Sequence, residues 1–291
     1  MNKAIVGILS RIFPTWMTKM AYRQLTSPQV RKLRERELTV LGEAQQETLI
    51  FKDYRIKTYR WGDGPRRLLL IHGWEGQAGN FSDLVRQLPL EDFSVYAFDG
   101  PSHGFSSKGE TSLFEFAELV GVLIRHWEVD QLVSHSFGGV ATTYALYANL
   151  DLQIDRYALL TSPDRFTDRI DDVARQVGIS EVVKARLVQQ LEAEIQMDIS
   201  TLNVSDFVGK IQVAKALLIH DKADRVIPIQ YSRNIHQQWP QCEMIEVEGT
   251  GHFRILRSED VLQKVVQFLH PKHPLPTPGK QAASGGRAPS I

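Results

Sequence analysis

The chain has 291 residues, 43% hydrophobic and 23% charged. That is the balance of a soluble globular protein with room for one large domain carrying an insertion, or for two smaller domains. Lys+Arg and Asp+Glu both total 34, so no global field draws the chain to nucleic acid or to an anionic membrane. One cysteine, Cys242, excludes an intrachain disulfide. It fits a reducing, cytoplasmic compartment, and its run Cys242-Glu243-Met244-Ile245-Glu246-Val247 reads as a packed strand, where a free Cys behaves as a small hydrophobe.

Residues 1–47 read as an N-terminal helical segment. The apolar run 4–9 is short for a signal-peptide core and far too short to span a bilayer. Ile5, Leu9, Ile12, Trp16 and Met20 mark one helical stripe, with Lys3, Arg11, Lys19 and Arg23 elsewhere. The stripe predicts a helix docked on the body; a helix lying in a membrane interface or at a substrate entrance is the competing reading. Pro14 is placed to kink it. Residues 48–61 alternate as an edge hairpin does. Apolar runs at 68–71, 95–98, 132–133, 157–160 and 216–219 read as buried strands, and 244–247 as an outer one. Helix-length segments at about 79–88, 113–128, 138–149, 229–238 and 259–269 lie between or after them. This rhythm predicts an α/β fold, a mostly parallel sheet with helices on both faces, built from 48–161 and 209–270. Residues 162–208 interrupt it with two amphipathic helices, 168–177 and 181–197, the second carrying Val183, Leu187, Leu191 and Ile195 at four-residue spacing. An inserted helical pair here reads as a lid; extra helices padding the sheet are the alternative. The tail 271–291 is rich in Pro and Gly, has little to bury and reads as disordered.

Five loops carry candidate chemistry, each after a predicted strand. Ser134-His135-Ser136-Phe137-Gly138-Gly139 joins a strand to a helix. A sharp turn of this kind lifts the middle hydroxyl above the sheet, provided small residues lie two before and two after it. Ser134 stands where Gly is usual, a departure from the pattern. In His72-Gly73-Trp74 the Trp74 N–H, with the Phe137 N–H, can form an oxyanion hole; His72 itself reads as structural. In Asp99-Gly100-Pro101-Ser102-His103-Gly104, Asp99 reads as a loop organiser and His103 lacks companions at metal-ligand spacing. His220-Asp221-Lys222-Ala223-Asp224 offers an acid, Asp224 first and Asp221 in reserve. Gly249-Thr250-Gly251-His252-Phe253 can bend so that His252 reaches Ser136.

The order Ser136, Asp224, His252 is that of the α/β hydrolases, and from about 50 to 269 the chain resembles that superfamily. It is similar to bacterial members of undetermined substrate with a His-Gly-Trp-Glu-Gly loop (72–76), an Asp-x-Pro-x-His-Gly loop (99–104) and a final Gly-x-Gly-His-x-x-Ile-Leu (249–256). The resemblance implies the α/β-hydrolase fold with a small helical lid, and a Ser-His-Asp triad working through an acyl-enzyme. Neither metal nor organic cofactor is expected. A mainly apolar pocket of Trp74, Phe137, Phe253 and lid residues predicts a small-molecule ester with a short or medium acyl or aryl group, and no motif points to a charged substrate. Amide, thioester or carbon–carbon bond hydrolysis and acyl transfer remain open on the same fold, as does a non-catalytic ligand-binding role.

Overall fold

The computed structural model describes residues 3–30 and 32–271. The expected tail beyond Pro271 lies outside them. Eight strands form one sheet: β1 (Gln45–Phe51), β2 (Tyr54–Trp61), β3 (Arg66–Ile71), β4 (Phe93–Phe98), β5 (Gln131–His135), β6 (Gln153–Leu160), β7 (Gln212–Asp221) and β8 (Cys242–Val247). Their spatial order is β1-β2-β4-β3-β5-β6-β7-β8. β2 runs antiparallel to β1 and β4, and all other neighbours are parallel. The hairpin starts at Gln45, three residues before the expected boundary; its turn is tight, with Phe51 paired to Tyr54 and Lys52 at φ 50°.

Helices α1 (Lys3–Ile12), α2 (Pro14–Thr26) and α3 (Glu35–Gly42) precede the sheet. α4 (Ser82–Val85) follows β3 and is shorter than expected, because the first turn of the segment, Ala78–Phe81, is a 3-10 helix. α5 (Leu113–His126) follows β4 and α6 (Phe137–Ala148) follows β5. α7 (Phe166–Val177), α8 (Glu181–Ile195) and α9 (Val204–Val208) stand between β6 and β7. α10 (Ile229–Gln237) joins β7 to β8, and α11 (Gly251–Arg254) and α12 (Glu259–Leu269) close the described chain.

The strand residues show why the apolar runs were continuous. Leu69, Ile71, Leu132, Tyr157, Leu159, Ala216 and Leu218 pack on one face with α5, α6 and α10. Their neighbours Leu68, Leu70, Val133, Ala158, Leu160, Leu217 and Ile219 pack on the other with α3, α4 and α12. Side chains alternate along a strand, so a sheet covered on both faces needs apolar residues at every position.

A third cluster lies apart from the sheet: Val6, Met17 and Ala21 pack against Ile170, Ala174, Ile179, Val183, Leu187 and Leu191. The stripe on α8 therefore meets α2. The expected docking face of the N-terminal segment is corrected here. Phe13, at φ −126° and ψ 59°, breaks the segment into two helices, as a residue forced out of the helical region by a following proline does. Helical phase restarts at Pro14, and the buried face becomes Met17 and Ala21, while Ile12, Trp16 and Met20 of the expected stripe stay exposed.

Candidate active site

Ser136 sits between β5 and α6 at φ 55° and ψ −124°. A side chain in this region is strained by about 1–3 kcal/mol and persists only where its surroundings hold it. Here the Ser136 N–H donates to the carbonyls of Thr161 (2.7 Å) and Leu160 (3.1 Å). The turn also needs α6 pressed onto the end of β3: a Cβ on Gly138 would lie 2.5 Å from the His72 carbonyl oxygen and 2.6 Å from that of Ile71. Ser134 is buried, and its hydroxyl shares a 2.7 Å hydrogen bond with Tyr157 Oη. The extra polar atom therefore has a partner, which explains why the departure from glycine is tolerated.

His252 is the second residue of α11, where the chain is bent by Gly249 (φ 83°) and Gly251 (φ 59°). Its Nδ1 lies 2.9 Å from Asp224 Oδ2. Beside a carboxylate that nitrogen carries the proton, which leaves Nε2 as the acceptor. The other oxygen of Asp224 accepts from the N–H groups of Val226 (2.7 Å) and Ile227 (3.0 Å). Burial opposes ionisation of Asp224, but His252 and these N–H groups outweigh it and hold the carboxyl below the usual carboxylate range.

Asp221 takes a different place. Its Oδ2 accepts from Gly251 N–H (2.8 Å), Thr250 Oγ1 (2.8 Å) and Thr250 N–H, and its Oδ1 from Ala223 N–H (2.7 Å). Burial again opposes ionisation and the donors outweigh it. Asp221 thus braces the loop that presents His252 and does not bond the imidazole. His220 is neutral: Nε2 donates to the Ile227 carbonyl and Nδ1 accepts from Ser232 Oγ, and burial lowers its pKa.

Ser136 and His252 line one cavity of about 290 Å³ with His72, Gly73, Trp74, His135 and Phe253. Among the described residues no hydrogen bond joins Ser136 Oγ to His252 Nε2, a contact that can tighten only once substrate is bound. Phe137 is the first residue of α6, so its N–H has no helical acceptor. Among the described residues neither it nor the Trp74 N–H donates to a protein group, and both are available to an oxyanion. Gly73 keeps this mouth open, since a Cβ there would come within 3.2 Å of Ser136 Cβ.

The loops read as structural are stitched to the backbone. His72 Nε2 accepts from Gly100 N–H (2.9 Å), so Nδ1 carries the proton and donates to the Gly73 carbonyl (2.8 Å). Burial lowers its pKa to about 4. Asp99 accepts from the N–H groups of Ala78 and Phe105, both at 2.8 Å. Cys242 is buried, which pushes its thiol up to about 12. Among the described residues, no three His, Cys, Asp or Glu side chains are grouped to hold a metal ion.

Two features had no sequence signal. His135, the variable residue of the elbow, is buried and donates from Nε2 to the His252 carbonyl (2.9 Å); burial first, and the neighbouring His252 second, lower its pKa to about 3. The expected apolar pocket is also divided. The cavity at Ser136 is mixed in lining and carries the charged residues Lys32, Arg34, Glu37, Glu75 and Arg257. An apolar chamber of about 370 Å³ lies on the far side of Trp74 and is lined by Leu25, Phe114, Phe137, Tyr144, Phe166 and Leu191 among others. Of these two spaces, Phe137 lines only the chamber, Phe253 only the Ser136 cavity, and Trp74 both.

Residues 68–264 match the profile of the alpha/beta hydrolase family. The chain is 32% identical over 113 residues to the human serine hydrolase-like protein, covering 35% of this chain and 53% of that one. It is 31% identical over 121 residues to a pimeloyl-[acyl-carrier protein] methyl ester esterase of Xanthomonas campestris, covering 40% and 46%. The chain thus spans about half the length of these curated relatives. An esterase of Pyrococcus furiosus superposes with a TM-score of 0.59 at 17% identity, over 84% of this chain and 95% of that one, a likeness of fold. The family profile runs from β3 into α12 and takes in all of the loops described above, and on that match the chain belongs to the α/β-hydrolase family.

Proposed function

We propose that the chain is a serine hydrolase of carboxylic esters, with Ser136 as nucleophile, His252 as base and Asp224 as the acid that orients it. The observation that carries this reading is the 2.9 Å contact of Asp224 Oδ2 with His252 Nδ1, beside a serine held at φ 55° on the same cavity. Ser136 Oγ attacks the ester carbonyl carbon while His252 Nε2 takes its proton. The N–H groups of Trp74 and Phe137 receive the oxyanion. The alcohol leaves with the proton from Nε2. Water, deprotonated by the same nitrogen, then attacks the acyl-enzyme, and the acid leaves as Nε2 returns the proton to Ser136 Oγ.

The apolar chamber behind Trp74 suits a short or medium acyl or aryl group, with Phe166 and Leu191 of the inserted helices as its roof. On this reading 162–208 is a lid. A relative named for methyl ester hydrolysis supports the choice of bond. The test is a fluorophosphonate probe together with nitrophenyl esters of rising chain length. Labelling at Ser136, and loss of both labelling and turnover in Ser136→Ala by roughly 10^4-fold or more, is the expected result. An intact protein that neither labels nor turns over any ester refutes the reading.

A further inference from the structure

Ile12, Phe13, Trp16 and Met20 are 61%, 55%, 51% and 37% exposed. Trp16 and Met20, four residues apart on α2, share one side of that helix, and Ile12 and Phe13 are exposed at the break between α1 and α2. The opposite side of α2 is fixed to the body: Met17 and Ala21 are buried, Thr15 Oγ1 accepts from Arg186 Nη1 (3.2 Å), and Tyr22 Oη donates to Glu194 (2.9 Å). The exposed apolar side is therefore held outward by a docked helix.

Charge tells what this side faces. Residues 1–34 contain seven Lys and Arg and no Asp or Glu, whereas residues 35–291 carry 27 bases against 34 acids. A chain neutral as a whole thus concentrates its excess of positive charge in one segment. Arg11, Lys19 and Arg23 are exposed on the same two helices as the apolar residues. The acids that reach them come from elsewhere: Glu110 lies 3.8 Å from Arg23 in a solvent-exposed pair, and Glu194 is engaged by Tyr22. A second copy docking by the same patch would set these cations against their own counterparts. An anionic lipid surface offers the complementary charge and accepts the aromatic and aliphatic side chains at its headgroup boundary.

We infer that α1 and α2 form a peripheral membrane-binding face, by which the protein rests on anionic phospholipid with Ile12, Phe13, Trp16 and Met20 inserted at the interface. Among the described residues no helix is long and apolar enough to cross a bilayer, so the association is superficial and reversible. The geometry also connects the face to the interior, because Tyr22, Leu25 and Thr26 of α2 line the apolar chamber beside Trp74. An amphiphilic molecule leaving the bilayer would meet that chamber first.

The test uses the full chain and vesicles of phosphatidylglycerol mixed with phosphatidylcholine, or of phosphatidylcholine alone, at low salt. Co-sedimentation at least ~10-fold greater with the anionic vesicles is expected, weakening as salt screens the charge. The double variant Ile12→Glu/Trp16→Glu should lose this binding, and so should Arg11→Glu/Lys19→Glu, which keeps the apolar residues. Both should retain the wild-type melting temperature and turnover of a soluble ester. Failure of the wild type to sediment with anionic vesicles overturns the inference. So does undiminished binding by both variants, or a wild-type dimer that Ile12→Glu/Trp16→Glu converts to monomer while vesicle binding persists. Vesicle binding is read without turnover, so its failure is distinct from failure of the esterase reading.

Discussion

Burial of His72 and His103, in the loops after β3 and β4, and of His135, at the end of β5, should make the fold sensitive to mild acid. Burial lowers the pKa of His72 to about 4 and of His135 to about 3, and that of His103 well below its ordinary value. In the unfolded chain each titrates near ~6.5. The folded values lie below the unfolded one, so this stabilisation is fully present above about pH 6.5 and is lost as pH falls toward the folded values. At pH 5.5 an unfolded histidine has gained about 1.4 kcal/mol from protonation that its buried counterpart cannot take up, or ~4 kcal/mol for the three. Buried His220 adds to this, while burial pushes the Asp99 carboxyl up and works in the opposite sense. Against a typical total stability of about 5–15 kcal/mol the loss is large, and it should lower the melting temperature by roughly 10 °C. Urea denaturation followed by tryptophan emission from pH 7.5 to 5.5 measures it. His135→Gln, which keeps a donor for the His252 carbonyl, should reduce the pH dependence by about one third. A midpoint that does not move between pH 7.5 and 5.5, or an unchanged slope in His135→Gln, would refute the reasoning.

The two aspartates should separate by readout. Asp224→Asn is expected to slow ester turnover by about 10^4-fold with little change in melting temperature, because it presents the wrong hydrogen-bonding partner to His252 Nδ1. Asp221→Asn should act mainly on stability, by about 1–3 kcal/mol, through the weakened brace at Thr250 and Gly251; equal kinetic losses in the two variants would reverse this division. Gly138→Ala should impair both folding and labelling of Ser136, since the added carbon meets two carbonyl oxygens; a fully active, equally stable variant would show that α6 can move away. Leu191→Ala and Phe166→Ala should shift preference toward longer or bulkier acyl groups and leave acetate esters less affected. An unchanged chain-length profile would return substrate choice to the loops around Trp74 and Phe253.

The parts of the molecule legible in the sequence are those set by local rules. Buried parallel strands announce themselves as continuous apolar runs, and Leu68, Leu69, Leu70 and Ile71 serve both faces of the sheet. Ser136, Asp224 and His252 stand in loops whose small residues reveal their turns. What escaped depends on residues distant in the chain. Asp224 is the first choice over Asp221 in the sequence, but what Asp221 holds is not legible there: it meets the backbone at Thr250 and Gly251, about 30 residues on, whereas Asp224 meets the imidazole. His135 occupies a position that the elbow leaves free, and its tie to His252 spans 117 residues. The stripe of Ile12, Trp16 and Met20 suggested a docking face because it treats the segment as one helix, whereas the break at Phe13 resets its phase. The charged part of the lining at Ser136 is assembled from Lys32, Arg34 and Arg257, which no local pattern brings together.

The separate packing of α1 and α2 with α7 and α8 bears on how the molecule assembles and loosens. Its ties join stretches far apart, 172 residues between Tyr22 and Glu194 and 171 between Thr15 and Arg186. Helices of 10 and 13 residues are marginal alone in water, so this cluster has to wait for the sheet to bring its halves within reach. The sheet depends less on this cluster: among the described residues the buried members of the two sheet clusters include none from α1, α2, α7 or α8, and only partly buried Phe166 of α7 packs against them. A layer that forms late and supports little beneath it is also the layer that opens at least cost. Amide protons in α7 and α8 should therefore exchange through openings that leave β5, β6 and β7 intact, so that Phe166 and Leu191 can leave the chamber beside Trp74 and return while the strands that lead into Ser136 and Asp224 stay folded.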